Sequence, residues 1–226
     1  RMKTDLITNV SHDLKTPLTS IINYVDLLKQ ENIENETAAG YLNILDEKSD
    51  RLRQLIEDLI EASKASSGNL ALTTEQVDLG ELVTQACGEY EEKIEESQLD
   101  VRISSPEEKT WIKADGKYMW RIVENMMSNA LKYSMPHTRV YIHIEQNNEY
   151  GVLVMKNISA HPLDIDPAQL TERFIRADES RTTEGSGLGL SIAQSLATIQ
   201  GGKFNIEIDG DLFKVTVEIP LWVESL

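Results

Sequence analysis

One cysteine, Cys87, stands in 226 residues, and a lone thiol excludes an intramolecular disulfide framework. It lies in a helical pattern, where cysteine serves as a small core side chain. A reducing, cytoplasmic setting fits that usage. Basic residues are also scarce, 22 Lys and Arg against 38 Asp and Glu, a net charge of -16. Nucleic-acid binding needs clustered Lys and Arg, so no nucleic-acid partner is expected. No apolar run approaches the roughly 18 residues that span a bilayer, and no signal peptide is visible. The chain opens with Arg1-Met2 already inside a helical pattern. That reads as a piece of something longer, with any membrane attachment through segments outside it. There is no internal repeat. The 40% of hydrophobic residues suffices for a packed core, and the length admits one large or two ordinary domains.

Two long amphipathic stretches come first. Residues 2–31 and 37–64 read as helices joined by the polar stretch 32–36, an antiparallel hairpin. Ile7, Leu14, Ile21 and Leu28 recur every seven residues, with Leu18 and Val25 beside them, and Leu45, Leu52 and Leu59 repeat the spacing in the second helix. This is a seam for helix packing. Such a hairpin buries little alone, so pairing into a dimeric four-helix bundle is expected. After Ser66-Ser67-Gly68-Asn69 the pattern turns mixed. Asp78 and Glu81 predict a capping box opening a helix over 79–97. Strands are expected at 101–103 and 111–114, then a helix from Asp115 to Tyr133. Strands at 140–146 and 151–157 pair across Asn147-Asn148. Residues 158–186 are irregular, long enough to suggest function. A helix over 187–200 and a hairpin of 204–209 with 212–219 close the chain. The fold class is α+β.

Three clusters carry chemistry. The first is Ser11-His12-Asp13-Leu14-Lys15-Thr16-Pro17-Leu18. His12 and Thr16 share a helix face, and Asp13 sits beside the imidazole. His12 lies roughly 160° around the helix from Leu14, away from the seam. Pro17 cannot donate to the carbonyl of Asp13, which predicts a bend there. The second is the helix containing Asn125, Asn129 and Lys132. Two amides and an ammonium on one side suit a magnesium triphosphate, an amide oxygen ligating Mg²⁺ and the lysine offsetting phosphate charge. The third is Gly185-Ser186-Gly187-Leu188-Gly189-Leu190, leading into a helix. Glycines and a helix start favour phosphate. No strand directly precedes it, so it is neither a dinucleotide fingerprint nor a P-loop.

Together these residues resemble the catalytic core of sensor histidine kinases of bacterial two-component systems. Ser11 to Leu18 matches the family's H box and Glu124 to Tyr133 its N box. Glu172 to Asp178 resembles its F box, and Gly185 to Leu190 matches its second glycine box. The resemblance implies a dimerisation and histidine-phosphotransfer domain, residues 1–66, followed by a Bergerat-type α/β sandwich that binds ATP, residues 67–226, with a lid near 174–187. It implies an ATP-dependent protein-histidine kinase, a homodimer that autophosphorylates and passes phosphate to an aspartate of a response regulator receiver domain. It implies His12 as phosphoacceptor, Asp13 as its base, and Thr16 orienting water for phosphatase activity. It implies Asn129 as Mg²⁺ ligand, and Asn125, Lys132, Tyr133, Arg176, Gly185, Gly187, Leu188 and Gly189 about ATP. The parent would be a membrane sensor with this portion in the cytoplasm.

One motif departs. The family's first glycine box reads Asp-x-Gly-x-Gly, its Asp accepting from the adenine amine, and here the stretch is Asn157-Ile158-Ser159-Ala160-His161. An Asn oxygen can accept the same bond. Two other readings are an ATPase or chaperone-like machine of the same fold, which leaves the H box without a purpose, and a kinase-derived scaffold kept for dimerisation.

Overall fold

The computed structural model describes residues 2–31, 33–66, 70–164, 166–171 and 188–223, with α1 described as backbone only up to Leu14. It divides into two compact units, Arg1–Asn69 and Leu70–Leu226.

The first unit is the expected hairpin, α1 (Met2–Gln30) and α2 (Glu36–Ser66). Asn35 starts α2, its Oδ1 accepting from Ala38 N at 3.0 Å, as an N-cap amide should. Lys29 pairs with Asp46 at 2.5 Å across the two helices. That partner raises the lysine's pKa through the hydrogen bond and the carboxylate charge. Leu18 and Val25 of α1 and Leu42 and Ile56 of α2 are buried between them. The expected seam splits at this point. Ile21 and Leu28 are 49% and 47% exposed, and Leu45 and Leu52 are 53% and 45% exposed. Of the heptad rows read as the core, the single chain therefore leaves Ile21, Leu28, Leu45 and Leu52 uncovered. α1 runs on through Pro17, and Thr19 Oγ1 and Ser20 Oγ bond back to the carbonyls of Lys15 and Thr16. Among the described residues no helix is long and apolar enough to cross a membrane.

The second unit layers helices on a mixed sheet. β1 (Glu75–Asp78) leads into α3 (Leu79–Glu89) and α4 (Glu91–Glu96). The single helix expected over 79–97 is thus two, broken at Tyr90, two residues after the poor helix former Gly88. Asp78 caps α3 as expected, but Glu81 does not close the box; its carboxylate lies 3.7 Å from Lys109 Nζ. β2 (Asp100–Ser104), β3 (Trp111–Ala114), α5 (Gly116–Tyr133), β4 (Arg139–Gln146) and β5 (Tyr150–Ile158) follow. A short 3-10 turn (Pro167–Thr171), α6 (Gly189–Ile199), β6 (Lys203–Asp209) and β7 (Leu212–Pro220) complete it.

The five-stranded sheet runs β2-β4-β5-β7-β6, with only β2 and β4 parallel. β1 and β3 form a separate antiparallel pair that the sequence reading did not include. The pair crosses close over β5: a Cβ on Gly151 would lie 2.5 Å from Ile112 Cγ2. The core between sheet and helices is dry and apolar. Met119, Ile122 and Met126 of α5, Ile192 and Leu196 of α6, and Ile142, Ile144 and Leu153 of the sheet are each 1% exposed or less.

Candidate functional site

α5 carries the two-amide cluster because Asp115 fixes its start, accepting from Lys117 N and Tyr118 N at 3.1 and 3.3 Å. From that start, Met119, Ile122, Val123, Met126, Met127 and Ala130 turn inward. Asn125 and Asn129 then fall at the half-buried margin of the helix. Asn125 Nδ2 donates to the Arg121 carbonyl at 2.8 Å. Its Oδ1 abuts Gly189, where a Cβ would sit 2.9 Å away. The second cluster and the described end of the third, Leu188–Leu190, remote in sequence, are therefore packed together, and Gly189 is what permits it.

The start of α6 has no side-chain cap. Leu188, 1% exposed, anchors it: its carbonyl accepts from Ile192 N and Ser191 Oγ. The leading N–H groups of such an end suit an anion.

The C-terminal end of α5 is fastened to the end of β5. Met135 N donates to Ile158 O and Ala160 N to Tyr133 O, both at 2.8 Å, and Ser134 bridges Ser159. These bonds join the α5 end at Tyr133 to the β5 end just after Asn157. Lys132 Nζ lies 5.5 Å from the Tyr133 ring centroid, within cation–π range. Lys132 also lines an open pocket of about 360 Å³ with Tyr90, Lys93, Ser97, Ser128 and Leu131. Burial, with the Glu124 carboxylate adding, raises the Tyr90 pKa. Sequence reasoning missed Tyr90 and Lys93, because it carried one helix through them; Gly88 was the available signal.

The departed glycine box is not strained. Neither Ser159 nor His161 adopts a positive φ, so the backbone here does not require glycine. Ser159 Oγ donates to His161 O at 2.7 Å and accepts from His161 N at 3.3 Å, closing a tight turn.

Not every implied residue is described. Arg176, Gly185 and Gly187 and the implied lid lie outside the described residues. So do the side chains of His12 and Asp13, whose backbone is helical in α1. Thr16 is exposed. Among the described residues, no group of three or more His, Cys, Asp or Glu side chains could hold a metal ion.

Known proteins resemble this chain in sequence and in fold. Residues 2–68 match the model of the His Kinase A (phospho-acceptor) domain. Residues 114–223 match that of the histidine kinase-, DNA gyrase B-, and HSP90-like ATPase. The sensor protein VanSC of Enterococcus gallinarum is 30% identical over 221 residues, 96% of this chain and 61% of that protein. Full-length ShkA, crystallised with AMPPNP, superposes with a TM-score of 0.83 at 21% identity, over 98% of this chain and 47% of that one. Histidine kinase ThkA in complex with response regulator protein TrrA gives a TM-score of 0.67 at 22% identity, over 96% of this chain and 61% of that one. The two domains, in this order and on this fold, define the catalytic core of a histidine kinase. The chain belongs to the sensor histidine kinases of two-component systems. It spans less than two thirds of the length of the curated relatives it matches, 61% and 57% for the first two.

Proposed function

We propose that this chain phosphorylates its own His12 from Mg·ATP and hands the phosphate to an aspartate of a response regulator. The observation that carries the reading is the seating of the uncapped α6 start against Asn125, which gathers the amides of α5 and a phosphate-suited helix end into one site. The donor set fits Mg·ATP. Asn129 is half-buried at that margin, and with no carboxylate cluster among the described residues an amide oxygen shared with phosphate oxygens is the fitting arrangement. Asn129 would hold Mg²⁺, which offsets charge on the phosphates.

In the transfer, a ring nitrogen of His12 bonds to the γ-phosphorus. The bond from that phosphorus to the bridging oxygen breaks, and ADP leaves with the electron pair. Asp13 keeps the proton on the other ring nitrogen and stabilises the positive charge that grows there. Lys132 counters charge on the departing diphosphate. Asn125 holds α6 in place, Gly187, Leu188 and Gly189 present backbone N–H groups, and Tyr133, Asn157 and Arg176 border the nucleotide. Thr16 orients water when the regulator is dephosphorylated. The uncovered rows Ile21, Leu28, Leu45 and Leu52 support a homodimeric four-helix bundle. The two domains are taken as 1–66 and 67–226, and the chain as the cytoplasmic portion of a membrane sensor.

Rates of autophosphorylation and of regulator dephosphorylation, measured on three variants, test the reading. Asp13→Asn should slow autophosphorylation. Thr16→Ala should spare it and weaken dephosphorylation. Asn129→Asp should abolish it, because a negative charge then faces the triphosphate. Wild-type phosphorylation by Asn129→Asp, or equal loss of both activities in Thr16→Ala, would contradict the assigned roles.

A further inference from the structure

One face of α5 meets the start of α6, at Asn125 and Gly189. Another face meets α4, and the open pocket of about 360 Å³ lies between them. The pocket exists because the helix expected over 79–97 breaks. Tyr90 N is shared between the carbonyls of Ala86 and Cys87, both at 3.2 Å, and α4 starts afresh at Glu91. Leu131, which lines the pocket, comes two residues after Asn129, about 160° around the helix from it. The pocket and the two amides therefore use different faces of α5. Lys132, one residue further on, stands between those faces and lines the pocket as well.

Lys93 sits among Glu89, Glu91, Glu92, Glu95 and Glu96. Glu96 is three residues on, a spacing at which ion pairs form along a helix. Yet neither Lys93 nor Glu96 forms an ion pair with any described residue. The Lys93 ammonium lies over the Tyr90 ring instead, 5.0 Å from its centroid. An ammonium and a carboxylate thus line one pocket without meeting each other. Ser97, also in the lining, donates its hydroxyl proton to the Ile94 carbonyl at 2.8 Å, which leaves its lone pairs to accept. The pocket has a cationic side, Lys93 with Lys132, and an accepting side, Glu96 with Ser97. A simple anion would face the Glu96 carboxylate, and a simple cation would face two lysines. A molecule that carries both charges satisfies both sides. Lys93 and Glu96 start about 4.5 Å apart along the helix axis, a span that a carboxylate and an ammonium on one carbon can bridge. The volume lies within the range of small-molecule pockets.

We propose that this pocket binds a small zwitterion of the α-amino-acid class, its carboxylate on Lys93 and Lys132 and its ammonium on Glu96, in competition with the triphosphate for Lys132. The competition rests on the nucleotide-site reading above; the zwitterion site does not. Calorimetric titration of the whole chain tests it, with glycine, L-alanine, L-serine and L-glutamine as probes and acetate and methylammonium as single-charge controls. At least one amino acid should bind about tenfold or more tightly than either control. Lys93→Gln and Glu96→Gln, both at exposed positions, should each weaken that binding about tenfold and leave Mg·ATP affinity as in the wild type. Saturating amino acid should raise the Kd for Mg·ATP about fivefold or more. The proposal is overturned if no amino acid binds with a Kd below about 10 mM, if acetate or methylammonium binds as tightly, or if either variant binds as the wild type does. Amino-acid binding that leaves Mg·ATP affinity untouched overturns the competition. A chain that binds an amino acid but not Mg·ATP contradicts the nucleotide-site reading and supports the zwitterion site.

Discussion

The hairpin and the α/β unit solve the burial problem differently. In the α/β unit, helices α3, α5 and α6 and the five-stranded sheet cover one another, and the side chains between them are sealed from water. In the hairpin, one row of each helix is sealed and the next is bare: Leu18 and Val25 are each 4% exposed, while Ile21 and Leu28 are near half. The first arrangement is complete in one chain. The second leaves apolar rows open for a larger core. A sealed α/β unit joined in one chain to a helix pair with bare apolar rows suits the proposed homodimer, in which His12 would be the acceptor.

The comparison is broken most severely by charging the bare row. Leu45→Asp removes an apolar contact of about 1.5–3 kcal/mol in each copy, twice over in a symmetric dimer. We expect a monomer by sedimentation, with nucleotide affinity unchanged because the α/β unit keeps its own core. A dimer of wild-type affinity would show that another surface joins the copies.

Gly189→Ala probes the other unit where two elements meet. Its Cβ would press on Asn125 Oδ1, and Asn125 could yield only by giving up its bond to the Arg121 carbonyl. We expect nucleotide affinity to fall about tenfold, or about 1.4 kcal/mol, with dimerisation intact. Unchanged affinity would remove Gly189 from the site.

The smallest effect sharpens the contrast by improving the sealed unit. Thr110 Oγ1 is buried without a hydrogen-bond partner among the described residues, and its methyl already packs near Gly151. Thr110→Val should stabilise the α/β unit by about 1 kcal/mol, since it removes an unsatisfied hydroxyl at nearly constant shape. Calorimetric melting reads this as a rise in the transition of that unit alone; a fall would mean the hydroxyl has a partner in solution.

What was legible in the sequence was what is local. The paired strands at 140–146 and 151–157 and the caps at Asp78 and Asp115 were read nearly where they lie. The heptads announced packing but not its partner, because a periodic row does not say whether the facing helix belongs to the same chain. β1 was hidden because Glu75-Gln76-Val77-Asp78 is mostly polar and is a strand only through pairing with β3. Of the site, the amides of α5 and the glycines before α6 were visible as types. Their contact through Asn125 and Gly189 was not, since it is set by the packing of α5 on α6. The burial of Asn157 emerged only from the register of β5 against β7.

The central claim is that these two unlike units share one reaction, with ATP bound by the second and phosphate accepted by His12 in the first. The most direct test is to incubate the chain with Mg·ATP, digest it at alkaline pH and locate phosphate by mass spectrometry. The account predicts alkali-stable, acid-labile phosphate on the peptide containing His12 and none on the His12→Gln variant, which should still bind ATP. Phosphate persisting on His12→Gln, or a wild-type chain that binds ATP and carries no phosphohistidine, would contradict it.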